Sequence, residues 1–243
     1  MVNPLDSVGQ AFVYQFCKQG SGSGMVDFKG NISGQKISIG LGDLTSEKCE
    51  SFIVPQSDRS LSYGGVGGAI IRSGAESGMN AYQDQLEKHG PFNFGDAYLT
   101  ESGGGNSKYL LHVVTVGSPR DEQFSTIQKA FYNALTQAQA RGIKTVAAPA
   151  LGTGIVGLLT PTQSAKAMLS AVNQFAKAGG AMDEIKFVIR GTAADQAAFT
   201  QVLEEKSFAA AAPEVGQKKF DFEKFGTKMR EDIRANSLYR ARD

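Results

Sequence analysis

The run Tyr109–Val116 (YLLHVVTV) constrains this chain more than any other segment. It is nearly continuous in apolar residues and ends at Gly117. Successive side chains of a strand point to opposite faces, so a strand apolar at successive positions must be covered on both. The segments that follow keep to the same plan. Residues 121–140 set Phe124, Ile127, Phe131, Leu135 and Ala138 at helical spacing behind a Ser118-Pro119 start. Residues 144–150 read as another buried strand. Thr160-Pro161-Thr162-Gln163 is a capping box with proline at the first helical position. The helix it opens aligns Ala165, Met168, Leu169, Val172 and Ala176 on one face, and Gly179-Gly180 ends it. Residues 185–190 read as a strand, and Thr192 can cap a last helix through Lys206.

Upstream, residues 25–29 and 36–41 alternate apolar and polar positions around a Gly30-Asn31 turn, which predicts two strands. Residues 51–54 form a short third strand. One helix runs from about Val66 to Glu87 on Ile70, Ile71, Met79, Tyr82 and Leu86, and Gly90-Pro91 stops it. A brief strand follows at 97–100. This alternation predicts an α/β fold with helices on both faces of a largely parallel sheet. The body spans residues 30–208. Residues 1–29 are an N-terminal extension with Phe12, Val13 and Phe16 and a GSGSG stretch at 20–24. Residues 209–243 are a linker and an amphipathic tail helix on Phe222, Phe225, Met229 and Ile233. That tail docks on the body or serves a protein partner.

Composition removes several classes of function. Lys and Arg number 25 against 24 Asp and Glu, for a net charge of +1, so a global electrostatic grip on nucleic acid is not expected. Cys17 and Cys49 are the only cysteines, and His89 and His112 the only histidines. They make neither a disulfide framework nor a multi-histidine metal centre, and no metal or cofactor is expected. No apolar run is long enough to span a bilayer, and MVNPLDSVGQ lacks the pattern of a secretory signal. A cytoplasmic protein is expected. His112, inside its apolar run, reads as a core residue, and His89 as a helix C-terminal cation.

Three segments carry chemistry. Gly152-Thr153-Gly154-Ile155-Val156-Gly157 follows a buried strand and precedes a capped helix, where backbone N–H groups can meet an anion. Its spacing fits G-x-G-x-x-G, but the acid that a dinucleotide fold needs about 20 residues on is absent. Lys177 stands there, and the next strand ends at Arg190. No G-K-[ST] follows, so this is not a nucleotide-hydrolysing P-loop. Gly64-Gly65-Val66-Gly67-Gly68 also joins a strand to a helix, and two such loops suit a diphosphate. The bland alternative makes one of the loops a packing turn. Gly42-Asp43-Leu44-Thr45 offers a carboxylate that either caps a turn or accepts from an exocyclic amine.

In order and spacing these segments resemble a macrodomain. The resemblance rests on GDLT at 42–45, IVPQSDRSLSYGGVGGAI at 53–70, Gly95-Asp96-Ala97, LLHVV at 110–114 and APALGTGIVG at 148–157, and it covers about residues 36–206. It implies a three-layer α/β/α module with a mixed, largely parallel sheet that binds ADP-ribose. It further implies that Asp43, with Leu44 beside it, holds the adenine amine. Gly64, Gly65, Val66 and Gly67 wrap the diphosphate and distal ribose, and Gly152, Thr153, Gly154, Ile155 and Val156 cradle the phosphates. Several positions depart from the family pattern. Pro55-Gln56-Ser57-Asp58 replaces N-A-A-N, so Asp58 faces the distal ribose. Gly67 replaces a water-positioning Asp of hydrolytic members, and Val156 an aromatic. Arg190 or Gly191 stands where an adenine-stacking aromatic is expected, and the guanidinium plane of Arg190 can stack on a base.

The expectation is a module that binds ADP-ribose, free or on a modified protein. The alternatives are an ADP-ribosyl hydrolase of weak activity with Asp58 as catalytic base, and a scaffold for another ADP-containing metabolite or RNA ends.

Overall fold

In the computed structural model, which describes residues 28–154 and 159–208, seven strands form one mixed sheet. The strands are β1 (Phe28–Ile32), β2 (Gln35–Leu41), β3 (Ser51–Ser57), β4 (Ala97–Glu101), β5 (Tyr109–Val116), β6 (Thr145–Pro149) and β7 (Glu184–Ile189). The helices are α1 (Gly65–Arg72), α2 (Glu76–His89), α3 (Gln123–Ala140), α4 (Pro161–Lys177) and α5 (Ala193–Glu204). Across the sheet the order is β1-β2-β7-β6-β3-β5-β4. The five inner strands run parallel, and β1 and β4 are antiparallel edges.

The strand pleat sorts the core into two layers. Ile37, Ile39, Ile53, Leu111, Val113, Val146, Ala148, Ile185 and Phe187 face α3, α4 and α5. Phe52, Val54, Leu110, Val114, Ala147 and Val188 face α1 and α2. Central strands covered on both sides are what the apolar run at 109–116 demanded. Phe131, Phe175, Phe187 and Phe199 are fully buried in the first layer, each side chain contributing about 1.5–3 kcal/mol by leaving water. Phe208, the last described residue, also packs into that layer.

Two predicted features are corrected. The β1–β2 hairpin turns at Ser33-Gly34, not Gly30-Asn31. Both residues have positive φ, at 49° and 94°, and Asn31 Oδ1 accepts from Gly34 N at 2.8 Å. Such a turn matches the twist of the flanking strands, and Gly30 pairs with Ile37 inside β1. The helix predicted over 66–87 is two helices. Gly74, at φ 97°, ends α1: its N–H reaches Ile71 O and the next N–H reaches Ile70 O. That glycine stop satisfies the last carbonyls of α1 and redirects the chain into α2. The capping box at Thr160 forms as predicted, and Thr192, predicted as a helix cap, forms one as well, with Asp195 as its partner. The N-terminal extension before residue 28 and the tail helix lie outside the described residues.

Candidate functional site

All five parallel strands end at the same edge of the sheet, so the loops that follow them converge there. β3 and β6 are neighbours, yet their onward connections leave on opposite faces: β3 feeds α1 and α2, and β6 feeds α4. A crevice opens where connections diverge in this way, and ligands of α/β sheets bind there.

Asp43 follows β2. Its Oδ1 accepts from Thr45 N at 2.9 Å and Thr45 Oγ1 at 2.7 Å, capping the single 3-10 turn Leu44–Ser46. Among the described residues none donates to Oδ2, so Asp43 caps its turn and keeps an oxygen for another partner. The side-chain and backbone hydrogen bonds from Thr45 hold its carboxyl below the usual carboxylate range, and Arg190 and Arg72 add their positive charge. Leu44 is buried among Ile70, Ala147 and Val188, so its side chain anchors the turn to the core. Asn106, from the β4–β5 connection, donates to Thr45 O at 2.8 Å and braces the turn. Arg190 stands exposed directly after β7, and Gly42 N bonds Ile189 O at 3.0 Å, so the Asp43 and Arg190 loops start side by side.

The first glycine loop divides by direction. Gly64 caps α1 and Gly65 sits at φ 52°; a Cβ at either would meet open space. Gly67 and Gly68 point inward, where a Cβ would collide with the carbonyl oxygens of Ser62 and Tyr63. The first intrahelical bond runs from Gly68 N to Gly64 O at 3.3 Å, so the N–H groups of Gly65, Val66 and Gly67 lack an intrahelical acceptor. Those donors and the positive end of the helix are the kind of groups that can meet an anion.

A buried polar chain holds this loop. Ser62 N donates to Gln56 Oε1 at 2.8 Å, and Gln56 Nε2 lies 3.2 Å from His112 Nδ1. His112 Nε2 lies 2.9 Å from Thr100 Oγ1, whose hydroxyl donates to Gly78 O at 3.2 Å. With the hydroxyl proton on Gly78 O, the imidazole carries its proton on Nε2 and accepts at Nδ1. Burial pushes its pKa down to about 3, so it is neutral. Tyr82 stacks on it with ring centroids 4.6 Å apart. His112 is therefore the core residue that its strand position implied.

Asp58 lies at the carboxyl end of β3. Ser57 Oγ donates to its Oδ1 at 3.2 Å and Arg59 Nε to its Oδ2 at 3.2 Å, so its carboxylate faces a guanidinium.

The second loop repeats the division. Gly152 has φ 79°, its carbonyl accepts from Leu159 N at 3.0 Å, and a Cβ there would stand 2.5 Å from Ile127 Cδ1. Thr153 Oγ1 donates to Ala150 O at 2.9 Å, while Gly154 is exposed and, among the described residues, nothing stands where its Cβ would be. Ile155 and Val156 lie outside the described residues.

The edge thus gathers Asp43, Arg190, Gly152–Gly154, Asp58 and Gly64–Gly65. Sequence reasoning missed Arg72, Asn106, Gln56 and Tyr63; only the glycines beside Tyr63 and Asn106 hinted at loops. Cys49 is set apart, its thiol pushed up to about 12 by burial and donating to Ser51 O at 3.1 Å. Among the described residues no cluster of His, Cys, Asp and Glu could hold a metal ion, and no helix is long and apolar enough to cross a membrane.

Comparison with known proteins agrees with this fold. The Macro domain family model matches residues 57–168. A macro domain-containing protein of Vibrio parahaemolyticus is 32% identical over 57% of this chain and 81% of its own length. O-acetyl-ADP-ribose deacetylase 1 of Pantoea vagans is 31% identical over 51% of this chain and 73% of its own. The Oceanobacillus iheyensis macrodomain with ADP superposes with a TM-score of 0.68 at 22% identity, over 76% of this chain and 98% of that one. One of its mutants, solved with ADPR, superposes at 0.67 and 20% identity, over 74% and 98%.

Proposed function

This chain belongs to the Macro domain family, and on that premise we propose that it binds ADP-ribose, free or attached to protein, along the carboxyl edge of its sheet. The observation that carries the reading is the strand order. β2, β7, β6 and β3 are consecutive neighbours, and their loops present Asp43, Arg190, Gly152–Gly154 and then Asp58 with Gly64–Gly65. Three strand spacings of about 4.8 Å place the outer loops roughly 14 Å apart, the reach of an extended nucleoside diphosphate sugar. Adenine then sits at Asp43, which accepts from its amine, with the Arg190 guanidinium against its face. The diphosphate lies between Gly154 and the N–H groups that open α1. The terminal ribose falls beside Asp58. The ligands in the Oceanobacillus iheyensis structures, ADP and ADPR, support the assignment.

Calorimetric titration with ADP-ribose, ADP, AMP and NAD tests it. ADP-ribose binds most tightly and AMP, lacking the diphosphate, most weakly. Absence of ADP-ribose binding, or equal affinity for AMP, overturns the reading.

Hydrolysis is the second reading, favoured by the carboxylate of Asp58 at the ribose end of the cleft. Asp58 would take a proton, once Arg59 yields its oxygen, from a water that attacks C1 of the terminal ribose; the bond from C1 to a modified acidic side chain breaks, and that side chain leaves as its carboxylate. Gly67 offers no side chain to orient that water, and the Ser62 carbonyl occupies the space a side chain would need. The proposed turnover of mono-ADP-ribosylated protein is therefore weak. If it is measurable, Asp58→Ala removes it while the protein still binds ADP-ribose. Turnover unchanged by Asp58→Ala overturns Asp58 as the base.

A further inference from the structure

We propose that Tyr63 is a ligand-contacting residue of the cleft: its ring packs on the sugar beyond the diphosphate and sets the preference for ADP-ribose over ADP. The proposal rests on the ADP-ribose reading above.

Tyr63 is 68% exposed, and among the described residues no other large hydrophobic side chain is exposed. A lone surface aromatic needs no explanation in general. Three observations distinguish this one. The first is its backbone. Ser62 N is tied to Gln56 Oε1 at 2.8 Å, while the carbonyls of Ser62 and Tyr63 press onto Gly67 and Gly68. The ring is thus carried on a main chain fixed against α1. The second is its freedom from partners: among the described residues no hydrogen bond or ring contact engages the Tyr63 side chain. A fixed backbone with an unengaged aromatic presents contact area at small entropic cost, because only two side-chain torsions remain to be ordered.

The third observation is place. Tyr63 lies between Asp58, at the end of β3, and Gly64-Gly65, at the start of α1. β3 is three strands away from β2 and its Asp43 turn. With the base at Asp43 and the phosphates between the two glycine loops, the part of the ligand nearest Tyr63 is the terminal sugar. ADP lacks that sugar, so the two ligands separate a sugar contact from every other contribution of the loop. The apolar C–H face of a ribose suits the face of an aromatic ring, while Asp58 addresses hydroxyl groups from the same strand.

The test is a set of titrations of the full-length protein with ADP-ribose and ADP, on the wild type, Tyr63→Ala and Tyr63→Phe. Tyr63→Ala should weaken ADP-ribose by about three- to tenfold, the scale of one aromatic packing contact. It should leave ADP within about twofold, and Tyr63→Phe, which keeps the ring, should match the wild type for both ligands. Unchanged ADP-ribose affinity in Tyr63→Ala overturns the proposal while ADP-ribose binding stands. So does an equal loss for ADP and ADP-ribose, or a loss in Tyr63→Phe as large as in Tyr63→Ala. A wild type that binds neither ligand overturns the function itself, and the first titration shows that separately.

Discussion

The two glycine-rich loops share one design executed with different neighbours. In each, one set of glycines faces the core and another faces the cleft. Gly67 and Gly68 let α1 lie against the carbonyls of Ser62 and Tyr63, and Gly152 lets its turn close over Ile127. Among the described residues, Gly64, Gly65 and Gly154 have open space where a side chain would stand. The loops differ in what supports them. The first rests on the polar chain Gln56–His112–Thr100, and the second on apolar Ile127 and Leu159 with hydroxyl bonds from Ser164 to Leu151 O at 2.6 Å and from Thr153 to Ala150 O at 2.9 Å. A glycine motif therefore mixes folding and binding roles, and only the surroundings separate them.

Substitutions sharpen that separation. The largest effect is expected for Gly67→Ala, whose Cβ collides with the carbonyl oxygen of Ser62, a residue whose own N–H is tied to buried Gln56. Overpacking of this kind costs about 1–3 kcal/mol or more, and a fall in the urea midpoint checks it. Unchanged stability would show the loop to be more pliant than the Ser62–Gln56 bond implies. Asp43→Ala acts on the ligand instead. Loss of a charge-assisted hydrogen bond costs about 1.5–3 kcal/mol, or roughly ten- to hundredfold in ADP-ribose affinity by calorimetry. An unaltered dissociation constant removes Asp43 from the site.

The support beneath the first loop responds to pH. His112 has a folded pKa near 3 against 6.5 for the free side chain. Above pH 6.5 neither folded nor unfolded chain binds this proton, and its contribution to stability is complete. Between 6.5 and 3 the unfolded chain takes up a proton that the folded one excludes, so stability falls as pH falls. The slope is about 1.4 kcal/mol per pH unit for one such group. Urea midpoints at pH 7.5, 6.5 and 5.5 should drop less in His112→Gln than in the wild type, carboxylates contributing alike to both. Parallel pH profiles would mean that His112 titrates normally. The smallest effect is expected at a cleft-facing position: Gly64→Ala, at φ −91° with open space, should shift stability by under about 0.5 kcal/mol.

Legibility in the sequence followed the range of the interactions. Tyr109–Val116, the capping box at Thr160 and the helix cap at Thr192 depend on neighbours a few residues away, and they form where the residues predict. The hairpin turn was misplaced because both Gly30-Asn31 and Ser33-Gly34 carry turn residues, and pairing with β2 chose the second. The break at Gly74 was hidden because the apolar spacing of Ile70, Met79, Tyr82 and Leu86 continues across it. The three chemical segments were visible as motifs, and their shared edge followed from parallel strands. Arg72 and Asn106 beside the Asp43 turn, and the link from Ser62 through Gln56 to His112, join residues far apart in the chain. No local pattern marks such pairs.

Gly154→Glu tests the central claim most directly, because a side chain there meets no atom of the described residues and, on this reading, meets the phosphates in the complex. Thermal unfolding and an ADP-ribose titration on the same sample are the measurement. The account predicts a midpoint close to that of the wild type and no detectable ADP-ribose binding, from steric overlap and the repulsion of a carboxylate against a diphosphate. A natively folded Gly154→Glu protein that binds ADP-ribose as tightly as the wild type would contradict it and reduce the second loop to a turn.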